Sequence, residues 1–336
     1  MAKVSVLGAG SWGTALAVML HGNHHQVTLW SALSDEVAQL RRDWEQKGKL
    51  PGVHIPEDIN ITDCLEEAVK DREMLVLAVP SVFVRGTARQ LSGLVPEGQL
   101  IVCVAKGVEE DTLMTMTDII EQELPMVDAA VLSGPSHAEE AGKGIPTTCV
   151  AGAHTRQTAE HIQNLFMSET FRVYTSPDML GIELGAALKN VVALAAGIAD
   201  GLGYGDNTKA ALITRGMAEI SRLGIAMGGK IETFYGLSGI GDLIVTCASV
   251  HSRNRRAGYL IGQGCTMQEA MDQVKMVVEG VYSAKAAREL AEKYQVEMPI
   301  IEQVNRVLFE NKAPGEAVRE LMLRDKKIET SVLAWE

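Results

Sequence analysis

The 336-residue chain is 46% hydrophobic and 22% charged, a composition that suits a globular protein with sizeable cores and excludes disorder as its default. Its length exceeds the roughly 250–300 residues at which one core stops growing, so two domains are expected. A formal net charge of −12 argues against general binding to nucleic acid or an anionic membrane, and any anionic ligand needs a local basic pocket.

At the N-terminal end, Val4-Ser5-Val6-Leu7 reads as a strand that runs straight into Gly8-Ala9-Gly10-Ser11-Trp12-Gly13 and then the helix former Thr14–Leu20. GxGxxG between a first strand and a helix is the pattern of dinucleotide binding. Gly8 allows the tight turn, Gly10 lets the backbone approach a pyrophosphate, and Gly13 lets helix and strand pack closely. The helix N-terminus, at Ser11 and Trp12, faces the anion. The same glycines distinguish this stretch from an export signal, which Lys3 and the apolar run after it superficially resemble. No membrane segment is expected either: the longest later apolar run, Val191–Ala199, is shorter than the roughly 20 residues a span requires.

A second strand at Gln26–Trp30 follows a polar turn holding His21, His24 and His25. NAD-specific sites place an acidic residue about 20 residues beyond the motif, at the end of this strand. Trp30-Ser31-Ala32 carries none, and the nearest basic residues are Arg41, Arg42, Lys47 and Lys49. NADP is therefore permitted beside NAD, and the expectation leans to NADPH.

Further apolar, β-branched runs at Met74–Val79, Leu100–Ala105, Ala129–Leu132, Thr147–Ala151 and Phe171–Tyr174 alternate with helical stretches. That alternation implies βαβ units and a doubly wound parallel sheet of Rossmann type over residues 1–180. Lys106 directly follows the strand Leu100–Ala105, where ligands of open α/β sheets gather; a plain surface-loop lysine is the alternative.

From Ile182 to Met227 there is no proline and long stretches of residues are small or aliphatic, which opens an all-α second domain over residues 181–336. Its later helices fall at Arg253–Ile261, Thr266–Gln273, Ser283–Lys293, Ile300–Phe309 and Pro314–Met322. Lys189 lies in the apolar helix Ala186–Ala199, where a lysine is costly unless it is paired or used, and burial would lower its pKa toward working pH. Asp242 follows the glycine-rich turn Gly236–Gly241 and could equally serve as a helix N-cap. Ser252 suits the N-cap of a helix beginning Arg253-Asn254-Arg255-Arg256. Basic residues in a first turn oppose the helix dipole, so an anion is expected there, with Arg253 and Asn254 as ligands; a solvated basic patch is the other reading. Cys64, Cys103, Cys149, Cys247 and Cys265 are scattered and show no metal-ligand spacing, so reduced thiols and no metal are expected.

These segments together resemble the bacterial sn-glycerol-3-phosphate dehydrogenase family over nearly the whole chain. The resemblance rests on GAGSWGTALA at Gly8–Ala17, AVPS at Ala78–Ser81, AKG at Ala105–Gly107, SGPS at Ser133–Ser136 and ALKNV at Ala187–Val191. It continues through GDNTKAALITRG at Gly205–Gly216, GLSGIGDLIVTC at Gly236–Cys247, SRNRRAG at Ser252–Gly258 and VVEG at Val277–Gly280. It implies NAD(P)-dependent reduction of dihydroxyacetone phosphate, with Lys189 as proton donor. Lys106, Gly134, Ser136, Asp242, Ser252, Arg253 and Asn254 would meet this small phosphorylated triose; Lys106, Ala138, Arg253, Val277 and Glu279 would meet the cofactor. It also implies a cytoplasmic homodimer that supplies glycerophospholipid synthesis. One departure is Ala32, where the family often has His or Arg.

Reducing a ketone creates an alkoxide, so such a site needs a proton donor and cationic or hydrogen-bonding groups around it. Two competing readings remain at this level: a two-domain dehydrogenase for a phosphorylated sugar acid or a keto acid, and a non-catalytic dinucleotide sensor. A substrate panel separates the first, and loss of the proton donor would mark the second.

Overall fold

The computed structural model describes residues 1–326, 328 and 329. Its first half is an eight-stranded sheet of β1 (Lys3–Leu7), β2 (Gln26–Trp30), β3 (Asn60–Thr62), β4 (Met74–Leu77), β5 (Leu100–Cys103), β6 (Asp128–Ser133), β7 (Thr147–Ala153) and β8 (Phe171–Ser176). The strand order is β3-β2-β1-β4-β5-β6-β7-β8. Chain direction reverses its march across the sheet between β1 and β4, the switch point outside which doubly wound sheets bind ligands. Strands β1 to β6 run parallel. The expectation of a wholly parallel sheet is corrected at β7, which pairs antiparallel with β6 while β8 runs parallel to β7. Apolar cores cover both faces of the sheet, one built on Val4, Val6 and Leu29, the other on Leu7, Leu75 and Leu77.

After β8 the described chain is helical. The Met179–Gly201 helix is buried nearly all round and serves as the axis of the second half, because apolar residues occur on every side of it and its few polar ones, among them Glu183, Lys189 and Asn190, are buried as well. By length and composition alone this helix could cross a bilayer, but the qualifying stretch is wholly inside the protein. The Arg253–Gly262 helix lies against it at backbone contact distance. A Cβ at Gly197 would sit 2.0 Å from the Arg255 carbonyl oxygen, and one at Gly258 would sit 2.2 Å from that of Leu194. Glycines at this crossing bring the start of the second helix beside Asn190, and so beside Lys189.

Candidate active site

One cavity of about 1050 Å³ runs from the carboxyl ends of β1 and β2 to the helical half. It is lined by Gly8, Gly10, Ser11 and Trp12, by Lys106, Ser136 and Ala138, by Lys189, Asp242, Ser252, Arg253 and Asn254, and by Val277 and Glu279. Two of the expected site residues stand behind this wall: Gly13 and Gly134.

The glycine turn explains itself in local geometry. Gly8 has φ +124°, and a Cβ there would lie 2.7 Å from the Ala78 carbonyl carbon. A Cβ at Gly13 would come within 1.9 Å of the Gly8 carbonyl oxygen, whereas one at Gly10 would point into open space. The Ser11–Gly22 helix has no side-chain cap, and its first internal bond runs from the Thr14 N–H to the Gly10 carbonyl at 2.9 Å. The preceding N–H groups are thus free to face the cavity, which makes this cradle fit the pyrophosphate of an NAD(P) molecule.

At the other end, three elements converge on one carboxylate. Lys106, just past β5, donates to Asp242 Oδ2 at 2.8 Å and to the Gly134 carbonyl at 3.0 Å. Lys189 donates to Asp242 Oδ1 at 2.5 Å and to Thr246 Oγ1 at 2.6 Å. Gly134 therefore reaches the site through its carbonyl, which also accepts from the Ser136 hydroxyl at 3.0 Å. Asp242 opens the Asp242–Ala248 helix but does not cap it: Gly241 occupies the cap position, and the Asp242 carboxylate is committed to the lysines. A π-helical turn, Leu237–Gly241, leads into it.

Burial lowers the Lys189 pKa to about 8 even though the Asp242 carboxylate opposes the shift. Burial pushes Asp242 up, but Lys106 and Lys189 outweigh it and hold the carboxyl below its ordinary value. Desolvation, then the charges of Lys189 and Lys106, push the His137 imidazole down to about 4, and its buried Nε2 has no protein partner. The ring lines the cavity as a neutral group.

At the start of the Arg253–Gly262 helix, the Ser252 hydroxyl accepts from the Arg255 N–H at 3.2 Å, leaving the Arg253 and Asn254 N–H groups uncapped. The Arg253 guanidinium spends one contact on the Val277 carbonyl at 3.4 Å. Asn254 is more engaged than expected: its Nδ2 donates to Asn190 Oδ1 at 2.9 Å, and its Oδ1 accepts from the Gly280 N–H at 2.8 Å. Arg255 turns away to Asp200 at 2.7 Å. Glu279 accepts from the Ser81 N–H at 3.1 Å and from the Ser81 hydroxyl, joining the two halves beside the cavity. Burial raises its pKa.

Sequence reasoning missed Thr246 and His137 as cavity residues and passed over Asn190 as a link. Thr246 stands one helical turn after Asp242, a spacing that could have flagged it. Around the second strand, Ala32 does line the cavity, and so does a carboxylate that had been thought absent: Glu36 reaches back from the first turn of the next helix. Of the four basic residues named there, only Lys49 lines the cavity. Arg41 donates to the Ile61 carbonyl, while Arg42 and Lys47 pair with Asp43. Among the described residues, no group of three His, Cys, Asp or Glu side chains could hold a metal ion.

The family model for the NAD-dependent glycerol-3-phosphate dehydrogenase N-terminus matches residues 3–159, and that for the C-terminus matches residues 178–319. A glycerol-3-phosphate dehydrogenase [NAD(P)+] of Agathobacter rectalis is 65% identical over 335 residues, covering 100% of both chains. One from Fusobacterium nucleatum is 63% identical over 98% of this chain and 99% of its own. The crystal structure of glycerol-3-phosphate dehydrogenase from Coxiella burnetii superposes with a TM-score of 0.93 at 36% identity, covering 96% of this chain and 99% of that one. With both halves matched in order and relatives aligned end to end, the chain belongs to the NAD-dependent glycerol-3-phosphate dehydrogenase family.

Proposed function

We propose that the chain catalyses reversible hydride transfer between NAD(P)H and dihydroxyacetone phosphate, giving sn-glycerol 3-phosphate. The observation that carries this reading is Asp242, whose two carboxylate oxygens hold Lys106 and Lys189 at 2.8 and 2.5 Å against the wall of a cavity that begins at a dinucleotide cradle. Bound NAD(P)H would supply the hydride.

The residues of the chain do the rest. The Lys189 ammonium gives its proton to the oxygen on which charge develops, and Asp242 fixes that ammonium in place. Lys106 places a second positive charge beside the same oxygen. Gly134 orients Lys106 through its carbonyl, and Ser136 contacts the substrate. Arg253, the spare N–H of Asn254 and the two uncapped helix N–H groups hold the phosphate, with Ser252 setting the helix start. Gly8, Gly10, Ser11, Trp12 and Gly13 form the pyrophosphate cradle. Lys106, Ala138 and Arg253 contact the cofactor, and Val277 and Glu279 border its nicotinamide side. Residues 1–180 act as the dinucleotide domain and 181–336 as the substrate domain, of which 327 and 330–336 lie outside the described residues. The family resemblance supports a homodimer, a cytoplasmic location without membrane insertion, and a role in glycerophospholipid synthesis.

A panel of ketones tests the substrate. Dihydroxyacetone phosphate should be reduced far faster than dihydroxyacetone or simple keto acids; a preference for a keto acid would favour a different dehydrogenase. The pH profile tests the donor. Reduction needs the ammonium form of Lys189, so kcat/KM for dihydroxyacetone phosphate should hold below about pH 8 and fall as pH rises through it, while the oxidation of sn-glycerol 3-phosphate gains from deprotonation. A reduction profile flat through that region would move the proton donor elsewhere.

A further inference from the structure

The reaction described above makes no use of His137, whose ring lines the cavity. Its backbone is fixed at the N-cap of the short Ala138–Ala141 turn, where its carbonyl accepts from the N–H groups of Glu140 and Ala141 at 3.1 and 3.0 Å. The ring packs against that of His251, with centroids 6.0 Å apart. Burial and the charges of Lys189 and Lys106 keep it neutral, against the pull of Asp242 and of the Val245 carbonyl. A neutral imidazole has one N–H and one bare nitrogen. The Val245 carbonyl can take only the N–H, so the other nitrogen is left as an acceptor. Nε2 is buried and meets no protein group, and a buried polar atom without a partner is costly.

We infer that Nε2 of His137 accepts a hydrogen bond from the terminal hydroxyl of dihydroxyacetone phosphate, and that His137 thereby selects ketone phosphates bearing a hydroxymethyl group. The inference rests on the reaction proposed above. The phosphate dianion and the carbonyl of this substrate are acceptors only. They are served by donors: Arg253 and the uncapped helix N–H groups for the first, Lys189 and Lys106 for the second. The hydroxyl is the one donor on the molecule, so a bare nitrogen in the same cavity has that group alone to meet. A methyl group in its place would leave Nε2 buried and unpaired. A carboxylate there, as in a phosphorylated keto acid, would set lone pair against lone pair. A site built around a substrate hydroxyl rejects analogues that lack it for this reason.

The test is kcat/KM for dihydroxyacetone phosphate and for hydroxyacetone phosphate, which has a methyl group in place of the hydroxymethyl, on the parent, His137→Phe and His137→Gln. The ratio of the two values, taken on a single preparation, is independent of the folded fraction, so a destabilised variant still gives an answer. The parent should prefer dihydroxyacetone phosphate by about tenfold to a hundredfold, the scale of leaving one buried polar group unpaired. His137→Phe fills the place of the ring without a polar atom and should bring the ratio near one, through loss on dihydroxyacetone phosphate. His137→Gln, whose amide oxygen can accept in place of Nε2, should keep most of the preference. A parent without preference, or a His137→Phe variant that loses activity on both substrates by the same factor, would overturn the role. So would a His137→Gln variant as unselective as His137→Phe, because the ring would then act by shape. A parent that reduces neither ketone phosphate would overturn the proposed reaction itself, and the role of His137 with it.

Discussion

Replacing Lys189 by alanine should lower turnover of dihydroxyacetone phosphate by about a hundredfold or more, the scale expected when a positioned acid is removed. NAD(P)H affinity should stay close to that of the parent, because the glycine cradle lies at the other end of the cavity from the Lys189–Asp242 contact. The loss also removes the cation opposite Asp242 Oδ1, and Lys106 remains on Oδ2 to balance the carboxylate. The fold should therefore persist, which circular dichroism and thermal melting check. Turnover at the parent rate would show that Lys189 is not the donor.

The second large effect is expected at the phosphate end. Hydrogen bonds to charged groups contribute roughly 1.5–3 kcal/mol each, so Arg253→Ala with Asn254→Ala should remove about 3–6 kcal/mol of transition-state binding. At about 1.4 kcal/mol per tenfold, kcat/KM for dihydroxyacetone phosphate should fall by roughly 10²–10⁴. Phosphate binding also helps place the reacting carbonyl, so kcat should suffer with KM. Asn254 additionally ties Asn190 to the Gly280 N–H, so part of its loss is structural, and Arg253→Ala alone is the cleaner arm. Unphosphorylated dihydroxyacetone is the control. It should be a very poor substrate for the parent and lose far less than dihydroxyacetone phosphate does in the variants. Equal losses on both substrates would place the phosphate elsewhere.

What the sequence made legible was local. The glycine turn could be read because strand, turn and helix are contiguous, and Gly8 and Gly13 answer to neighbours within the motif or just past the adjoining strand. Lys189 could be singled out because an ionisable residue in an unbroken apolar run demands a partner. The partner itself lies 53 residues away, and Lys106 meets the same carboxylate across 136 residues, distances that periodicity does not encode. Asn254 shows the same limit, since its engagement with Asn190 depends on glycines that let two helices touch. The short strand Asn60–Thr62 escaped notice because three residues carry no alternation, and the reversed direction of β7 leaves no mark on an apolar run. Glu36 was overlooked for a different reason. The search for an acidic residue stopped at the strand end, whereas the first turn of the following helix folds a carboxylate back onto Ser31.

The most direct test of the account is to follow NADPH and NADH consumption by the purified full chain on addition of dihydroxyacetone phosphate, with sn-glycerol 3-phosphate measured as product. The account predicts that both cofactors are consumed one for one with product formed, and that Lys189→Ala suppresses this consumption. A flat trace with both cofactors, or consumption that Lys189→Ala leaves untouched, would contradict it.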